Sequence, residues 1–246
     1  MTKASPEDQL QLLQVQELDT KIAQLVHQRK TLPILEHLAD LKRRKADIDL
    51  ALVNSRTAAA DLRRELTKAE SDVEQVATRI ARNQERLNAG QGTPRELTAL
   101  QSELAALEKR HGDLEEIQLD VMQRLEDHQE TLEKLEEAER GVSIDIEAAE
   151  AERDQQDLVI VTAGREAMGQ RKIIAGAIDE KLMDLYERIR SQVGQGAAPL
   201  RARRCQGCQL ELNAHELARI QAADEQEVLR CDECGRILVR TAESGL

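Results

Sequence analysis

The chain has 246 residues with no Phe, no Trp and one Tyr, Tyr186; a third of it is charged, and the formal net charge is −12. Large aromatic side chains usually dominate core energetics, so their absence excludes a large compact core, and abundant Ala, Leu, Glu, Arg and Gln with only four prolines describes long helices and coiled coil. From Pro199 onward seven Lys and Arg meet eight Asp and Glu, which leaves −1 on the C-terminal stretch and −11 on the rest; an acidic stalk is a poor general ligand for phosphate backbones, so any nucleic-acid contact should be local.

Met1 to Gln9 is polar, and no apolar run of about 18 residues occurs anywhere, which predicts a cytoplasmic protein without a membrane partner. From Leu38 to Leu87 the spacing alternates three and four: Leu38, Leu41, Lys45, Ile48, Leu52, Ser55, Ala59, Leu62, Leu66, Ala69, Val73, Val76, Ile80, Asn83, Leu87. Twelve of these fifteen positions are apolar, the a/d seam of a left-handed coiled coil. The tip, about residues 88–94, interrupts it: Gly90 and Gly92 supply a helix end, Thr93 can cap, Pro94 fits the first position of a new helix, and Glu96 falls where a capping-box carboxylate belongs. The seam resumes at Leu97, Leu100, Leu104 and Leu107 and runs through His111, Leu114, Gln118, Val121, Leu125, His128, Leu132, Leu135 and Glu139 to Val142 and Ile146.

A short turn between two long seams predicts an antiparallel hairpin. Placing Leu87 opposite Leu97 puts Lys45 against Glu139, Ser55 against His128, Leu52 against Leu132 and Leu62 against Val121, so polar seam residues meet polar ones. At about 1.5 Å per residue the arm would reach on the order of 120 Å. Extended further, the register lands Leu158-Val159-Ile160-Val161 on Ile22, Leu25 and Val26, and Ile173 and Ile174 near Leu10. Helix two should then continue to about residue 175, with Pro33 kinking or breaking helix one. Ile178, Leu182, Leu185 and Ile189 are spaced as a shorter amphipathic helix, and Gly194–Pro199 reads as a linker. The expected fold is mainly α: residues 1–176 a coiled-coil hairpin, 177–198 a short helix and linker, and 199–246 a small C4 zinc ribbon with β-structure.

The chemistry is concentrated in that last part. Cys205, Cys208, Cys231 and Cys234 form two Cys-x-x-Cys pairs with 22 residues between them, the spacing of a four-thiolate site for one structural Zn²⁺, with no position left open for water or substrate. Thiols reserved for a metal fit a reducing compartment. Leu210 and Leu212 alternate after the first turn, Ala214–Gln221 can form a helix capped by Asn213, and Val228 and Leu229 lead as a strand into the second turn. Gly235 suits a left-handed position, and Ile237 and Val239 alternate out as the last strand of a small antiparallel sheet. His111 and His128 sit in the seam and should set register, while His27 and His37 read as solvated helix positions. His215 beside Glu216 lacks the His-x-Glu order and open ligand position of a zinc deaminase. Gly164 and Gly169 after the apolar run lack the Lys and Ser/Thr of a phosphate loop, since Gln170 and Arg171 stand there. Arg201, Arg203, Arg204, Arg230, Arg236 and Arg240 either form a phosphate-contacting face or solubilise a small sheet; without aromatics, recognition by base stacking is not expected.

Four stretches, Leu13-Gln14-Val15-Gln16-Glu17-Leu18-Asp19, Leu32-Pro33, Pro94-Arg95-Glu96-Leu97-Thr98-Ala99-Leu100-Gln101 and Cys231-Asp232-Glu233-Cys234-Gly235-Arg236-Ile237-Leu238, resemble the bacterial family of C4-type zinc ribbon proteins with an N-terminal coiled-coil hairpin. The resemblance spans nearly the whole chain and implies a non-enzymatic, nucleic-acid-binding protein with Cys205, Cys208, Cys231 and Cys234 as zinc ligands. Some flagellated relatives act as adaptors engaging the nitrogen sigma factor and flagellar transcripts, or as components of secretion systems; no residue here identifies those partners. Many relatives carry proline where Asp232 stands. The expectation is a non-enzymatic adaptor whose ribbon binds RNA or DNA and whose hairpin binds a protein, against a purely protein-binding scaffold or chaperone with a structural zinc ribbon.

Overall fold

The computed structural model describes residues 2–90 and 92–246; Met1, at the head of the polar N-terminal segment, and Gln91, within the expected tip, lie outside the described residues. In chain order the elements are α1 (Pro6–Lys30), α2 (Pro33–Asn88), α3 (Pro94–Ala175), α4 (Glu180–Val193), β1 (Ala197–Arg201), β2 (Arg204–Cys205), α5 (Ala214–Ala222), β3 (Leu229–Arg230) and β4 (Ile237–Val239). They fall into two compact units: an arm, residues 36–150, and a base made of residues 1–35 and 151–246.

The arm is an antiparallel coiled-coil hairpin in the expected register. Ala59, Leu62, Val121 and Leu125 are buried together, with Leu66 and Leu132 packed against them. Lys45 Nζ donates to Glu139 Oε1 across the helices, so the polar seam pair forms as expected. The other polar pair behaves differently. Ser55 is buried, yet neither Ser55 Oγ nor His128 Nδ1 finds a hydrogen-bond partner, and Asn83 Nδ2 is likewise buried and unpartnered. Each buried Leu or Val in the seam contributes about 1.5–3 kcal/mol, whereas exposed pairs such as Arg56–Glu136 (2.9 Å) and Lys42–Glu150 (2.7 Å) add about 0.2–1 kcal/mol each. The apolar seam therefore holds the arm, and the charges only bias its alignment. At the tip, Thr93 N–H donates to Glu96 Oε2 at 2.6 Å and Glu96 N–H reaches Thr93 Oγ1 at 3.4 Å, the reciprocal capping box that starts α3.

In the base, Pro33 breaks the first helix outright. α1 ends at Lys30, Thr31 N–H closes on the His27 and Gln28 carbonyls, and Pro33 opens α2 at a position where its missing N–H costs nothing. The run 158–161 is helical and meets Ile22, Leu25 and Val26 as the register requires, Ile160 and Val161 lining an apolar groove with them. Further toward the N-terminus the extension needs correcting: Ile174 packs with the cluster containing Leu12 and Leu13, while Leu10 and Ile173 face solvent.

The segment expected as a linker is also different. Only Gly194–Gly196 turns, and Ala197-Ala198-Pro199 enters β1, an inner strand of a four-stranded sheet ordered β2-β1-β4-β3. The sheet is not all antiparallel, because β1 and β4 run parallel, with Ala197 opposite Ile237 and Pro199 opposite Val239. Both faces of the inner strands are covered. Ala197, Ile237 and Val239 pack on Leu12, Val15, Leu182, Tyr186 and Ile189 of α1 and α4. Ala198, Leu200 and Leu238 pack on Cys205, Leu212, Ile220, Leu229 and Cys231. The sheet thus shares one core with the helices and the other with the cysteines. Thr2 and Ala4 continue it beyond β3: Ala4 N–H bonds Gln226 O at 2.9 Å and Val228 N–H bonds Thr2 O at 3.2 Å.

Candidate metal centre and its surroundings

Two similar turns build the site. In the first, Gln209 N–H bonds Cys205 O at 2.8 Å and Cys205 N–H bonds Leu210 O at 3.0 Å. In the second, Gly235 N–H bonds Cys231 O at 2.9 Å and Cys231 N–H bonds Arg236 O at 3.0 Å. Each turn places the residue after its second cysteine in left-handed backbone, Gln209 at φ 64° and Gly235 at φ 71°. Glycine occupies that region without penalty, while Gln209 carries a cost of about 1–2 kcal/mol that its side-chain bond to Gln206 O (2.8 Å) helps offset. The four sulfurs lie within 4.8 Å of one another, with Cys205–Cys234 at 3.8 Å and Cys208–Cys231 at 3.9 Å. A tetrahedron with Zn–S bonds of about 2.3 Å has edges of about 3.8 Å, so these thiols fit one structural zinc ion. Burial pushes the Cys231 thiol up to about 12 and raises Cys205 as well. Burial also acts upward on Cys234, but hydrogen bonds from the Arg236 backbone and side chain and from neighbouring thiols outweigh it and bring that thiol to about 7. A metal taking all four as thiolates must release protons.

The arginines considered for phosphate contact differ in their partners. Arg201, Arg203 and Arg204 are exposed on the tight β1–β2 turn, where Ala202 and Arg203 have φ 47° and 62°. Arg201 pairs with Glu243, Arg204 Nη2 lies 3.6 Å from Glu211, and Arg203 Nε donates to Gly245 O at 2.9 Å. Arg230 Nε donates to Gly235 O at 2.8 Å. Arg240 donates to three carbonyls around the end of α5, Ala223 (3.1 Å), Asp224 (2.7 Å) and Glu225 (2.9 Å), where a cation also complements the helix dipole. Arg236 is drawn inward, its Nε buried with no partner. Asp232 holds Arg219 of α5 at 2.9 and 3.0 Å, which explains an acid beside the second turn.

The remaining leads resolve as structure. Glu216 is buried in a capping box with Asn213, and His215 is exposed beside it. Gly164 and Gly169 lie inside continuous helix, with no loop to cradle a phosphate. His111 Nδ1 faces Glu115 of its own helix at 3.3 Å, and His27 and His37 are exposed. Sequence reasoning missed a buried polar network in the base. Tyr186 donates to Asp19 Oδ2 at 2.8 Å and to Gln16 Oε1 at 3.2 Å, Arg171 Nε donates to Asp19 Oδ1 at 2.7 Å, and Gln16 Oε1 accepts the Gly196 N–H at 2.8 Å. Two polar residues three apart within Val15–Asp19, on the face that also carries Leu12, were the available signal.

Comparison with known proteins agrees with this architecture. Residues 15–194 match the CT398-like coiled coil hairpin domain, and residues 204–238 match the C4-type zinc ribbon domain. A Mycobacterium tuberculosis protein is 32% identical over 238 residues, covering 97% of both chains. A solved structure from Mycobacterium smegmatis superposes with a TM-score of 0.87 at 31% identity, over 97% of this chain and all of that one. CT398 from Chlamydia trachomatis superposes with a TM-score of 0.71 at 23% identity, over 96% of this chain and 98% of its own, a likeness of fold alone. Among the described residues no helix is long and apolar enough to cross a membrane.

Proposed function

Because the chain belongs to the family of CT398-like coiled-coil hairpin proteins and carries a C4-type zinc ribbon, we propose that it is a non-catalytic adaptor whose arm docks a basic protein surface. The distribution of charge supports this reading. Residues 36–150 hold 17 Lys and Arg against 27 Asp and Glu, and within Glu103–Glu150 of α3 the counts are 5 and 16. On the same arm Leu50, Val53, Ile117 and Leu119 are about half or more exposed, outside the seam that the hairpin needs for itself. An acidic surface with scattered exposed aliphatics suits a cationic, partly apolar partner, with charge steering the encounter and apolar contact slowing release. The zinc site contributes stability rather than chemistry, since its four protein ligands close the coordination sphere.

Charge reversal tests this. Glu126, Glu133 and Glu137 are exposed on α3. Glu126→Lys, Glu133→Lys and Glu137→Lys together should abolish recovery of proteins captured by the immobilised zinc-loaded chain at moderate salt, with the helical circular dichroism unchanged. Equal recovery by the variant would remove the arm from the reading. A nucleic-acid role has its own support in the three exposed arginines of the β1–β2 turn. It requires that RNA or duplex DNA compete away Glu243 and Glu211; anisotropy that rises at low salt and is lost in an Arg201, Arg203, Arg204 triple-Ala variant would establish it.

A further inference from the structure

Four thiolates around one Zn²⁺ leave a net charge of −2, and a partly buried charge of that size needs nearby donors. Backbone N–H groups of the two turns supply some. Two of the six candidate arginines lie against the cysteine turns: Arg230, whose Nε donates to Gly235 O, and Arg236, whose Nε is buried and whose stem lies on Gly207. Arg236 follows Gly235 directly, and its carbonyl accepts the Cys231 N–H at 3.0 Å, so its backbone belongs to the second cysteine turn. Its side chain crosses to the first. A Cβ built on Gly207 would lie 2.7 Å from Arg236 Cδ and 3.4 Å from its Nε, which places the arginine stem flat on the Cys205–Cys208 turn. Arg201, Arg203, Arg204, Arg230 and Arg240 each have a carboxylate or carbonyl partner. Arg236 Nε is buried and has no hydrogen-bond partner, and a buried guanidinium N–H left unpaired is costly unless a zinc-bound thiolate receives it.

We propose that Arg236 is an outer-sphere cation of the zinc site: its buried Nε–H donates to a zinc-bound thiolate, and its stem, lying on Gly207, ties the second cysteine turn to the first. This inference is independent of what the arm binds. Residues that support metal ligands from behind typically change metal affinity 10–100-fold when removed. The role also removes Arg236 from any nucleic-acid face.

The test is zinc transfer from the full zinc-loaded chain to a chromophoric chelator. Arg236→Met keeps an unbranched stem and removes the charge; it should release zinc roughly 10–100-fold faster. Arg236→Lys restores the charge and should bring the rate back most of the way, while Arg201→Gln should leave it unchanged. Alkylation of the zinc-bound thiolates by N-ethylmaleimide should follow the same order, because a neighbouring cation lowers thiolate nucleophilicity. Wild-type release by Arg236→Met would overturn the proposal, and so would equal acceleration in the Met and Lys variants, which would reduce the arginine to packing. Should Arg236→Met fail to fold, the unmodified chain decides. Loaded with cadmium-113 and labelled with nitrogen-15, it should show a slowly exchanging Arg236 Nε–H coupled to the metal through sulfur. A rapidly exchanging, uncoupled Nε–H would refute the assignment.

Discussion

Tyr186 and Gly196 set the tightest constraint in the base. A Cβ on Gly196 would sit 2.4 Å from Tyr186 Cδ2 and 2.7 Å from Tyr186 O, so the residue before β1 must be glycine for packing reasons. Gly196→Ala should cost about 1–3 kcal/mol or more in urea unfolding, because the buried Tyr186 ring and a backbone carbonyl, not a flexible side-chain end, block the added methyl. Tyr186→Phe should cost about 1–3 kcal/mol, since it deprives Asp19 and Gln16 of a buried donor. Burial first, and then the hydrogen bond to Asp19, raise the Tyr186 phenol above its ordinary value of 10.0. The fold prefers the protonated phenol, so its contribution is complete below pH 10.0 and is lost as pH rises further. Because Tyr186 is the sole tyrosine, phenolate absorbance in an alkaline titration should appear together with unfolding of the base rather than before it.

The helices and strands differ in what they depend on. In α2, Ser55 Oγ is buried without a partner, and Ala is the better helix former by about 0.5 kcal/mol, so Ser55→Ala should leave the arm as stable or raise its midpoint slightly. A loss above about 1 kcal/mol would mean that the hydroxyl is bonded. The sheet depends on zinc from one side and on α1 and α4 from the other. Chelation, or Cys231→Ser, should therefore abolish hydrogen-exchange protection in β1–β4 and α5 and weaken it in α1 and α4, with the α2–α3 seam of the arm unchanged. Confinement of the loss to residues 199–246 would show that the shared core with Leu182 and Tyr186 contributes little.

The molecule as a whole is acidic, and its charge couples to stability through the arm. The Lys45 ammonium, followed by the Ser143 hydroxyl, holds the Glu139 carboxyl below its ordinary 4.5. Lys134 does the same for Glu130, and the Thr93 backbone N–H does so for Glu96. Carboxyls depressed in the fold stabilise it above their unfolded value and lose that contribution as pH falls through the folded one. Arm stability should be flat near neutral pH and decline below about 4.5, and Glu139→Gln should flatten the acid limb without moving the neutral plateau far. Thermal midpoints across an acid series, read by helical circular dichroism, would show it. Since Glu96 and Glu130 are exposed and Glu139 is only partly buried, added salt should shrink the effect.

Periodicity and spacing alone determined the hairpin, its register and the zinc site. A coiled-coil partner is chosen by which residues repeat every three and four, and a C4 site by four thiols on two turns; both are local patterns that sequence carries directly. Lys45 against Glu139 and the Thr93–Glu96 capping box were readable for that reason. The tertiary structure decided what Gly194–Pro199 becomes, because small residues that look like a linker are the ones a strand needs when it lies against Tyr186. It also decided which arginines are free, since pairing with Glu243, Glu211 or the carbonyls after α5 depends on contacts between segments far apart in the chain. The same holds for Arg236, which reaches Gly207 only because the two cysteine turns face each other.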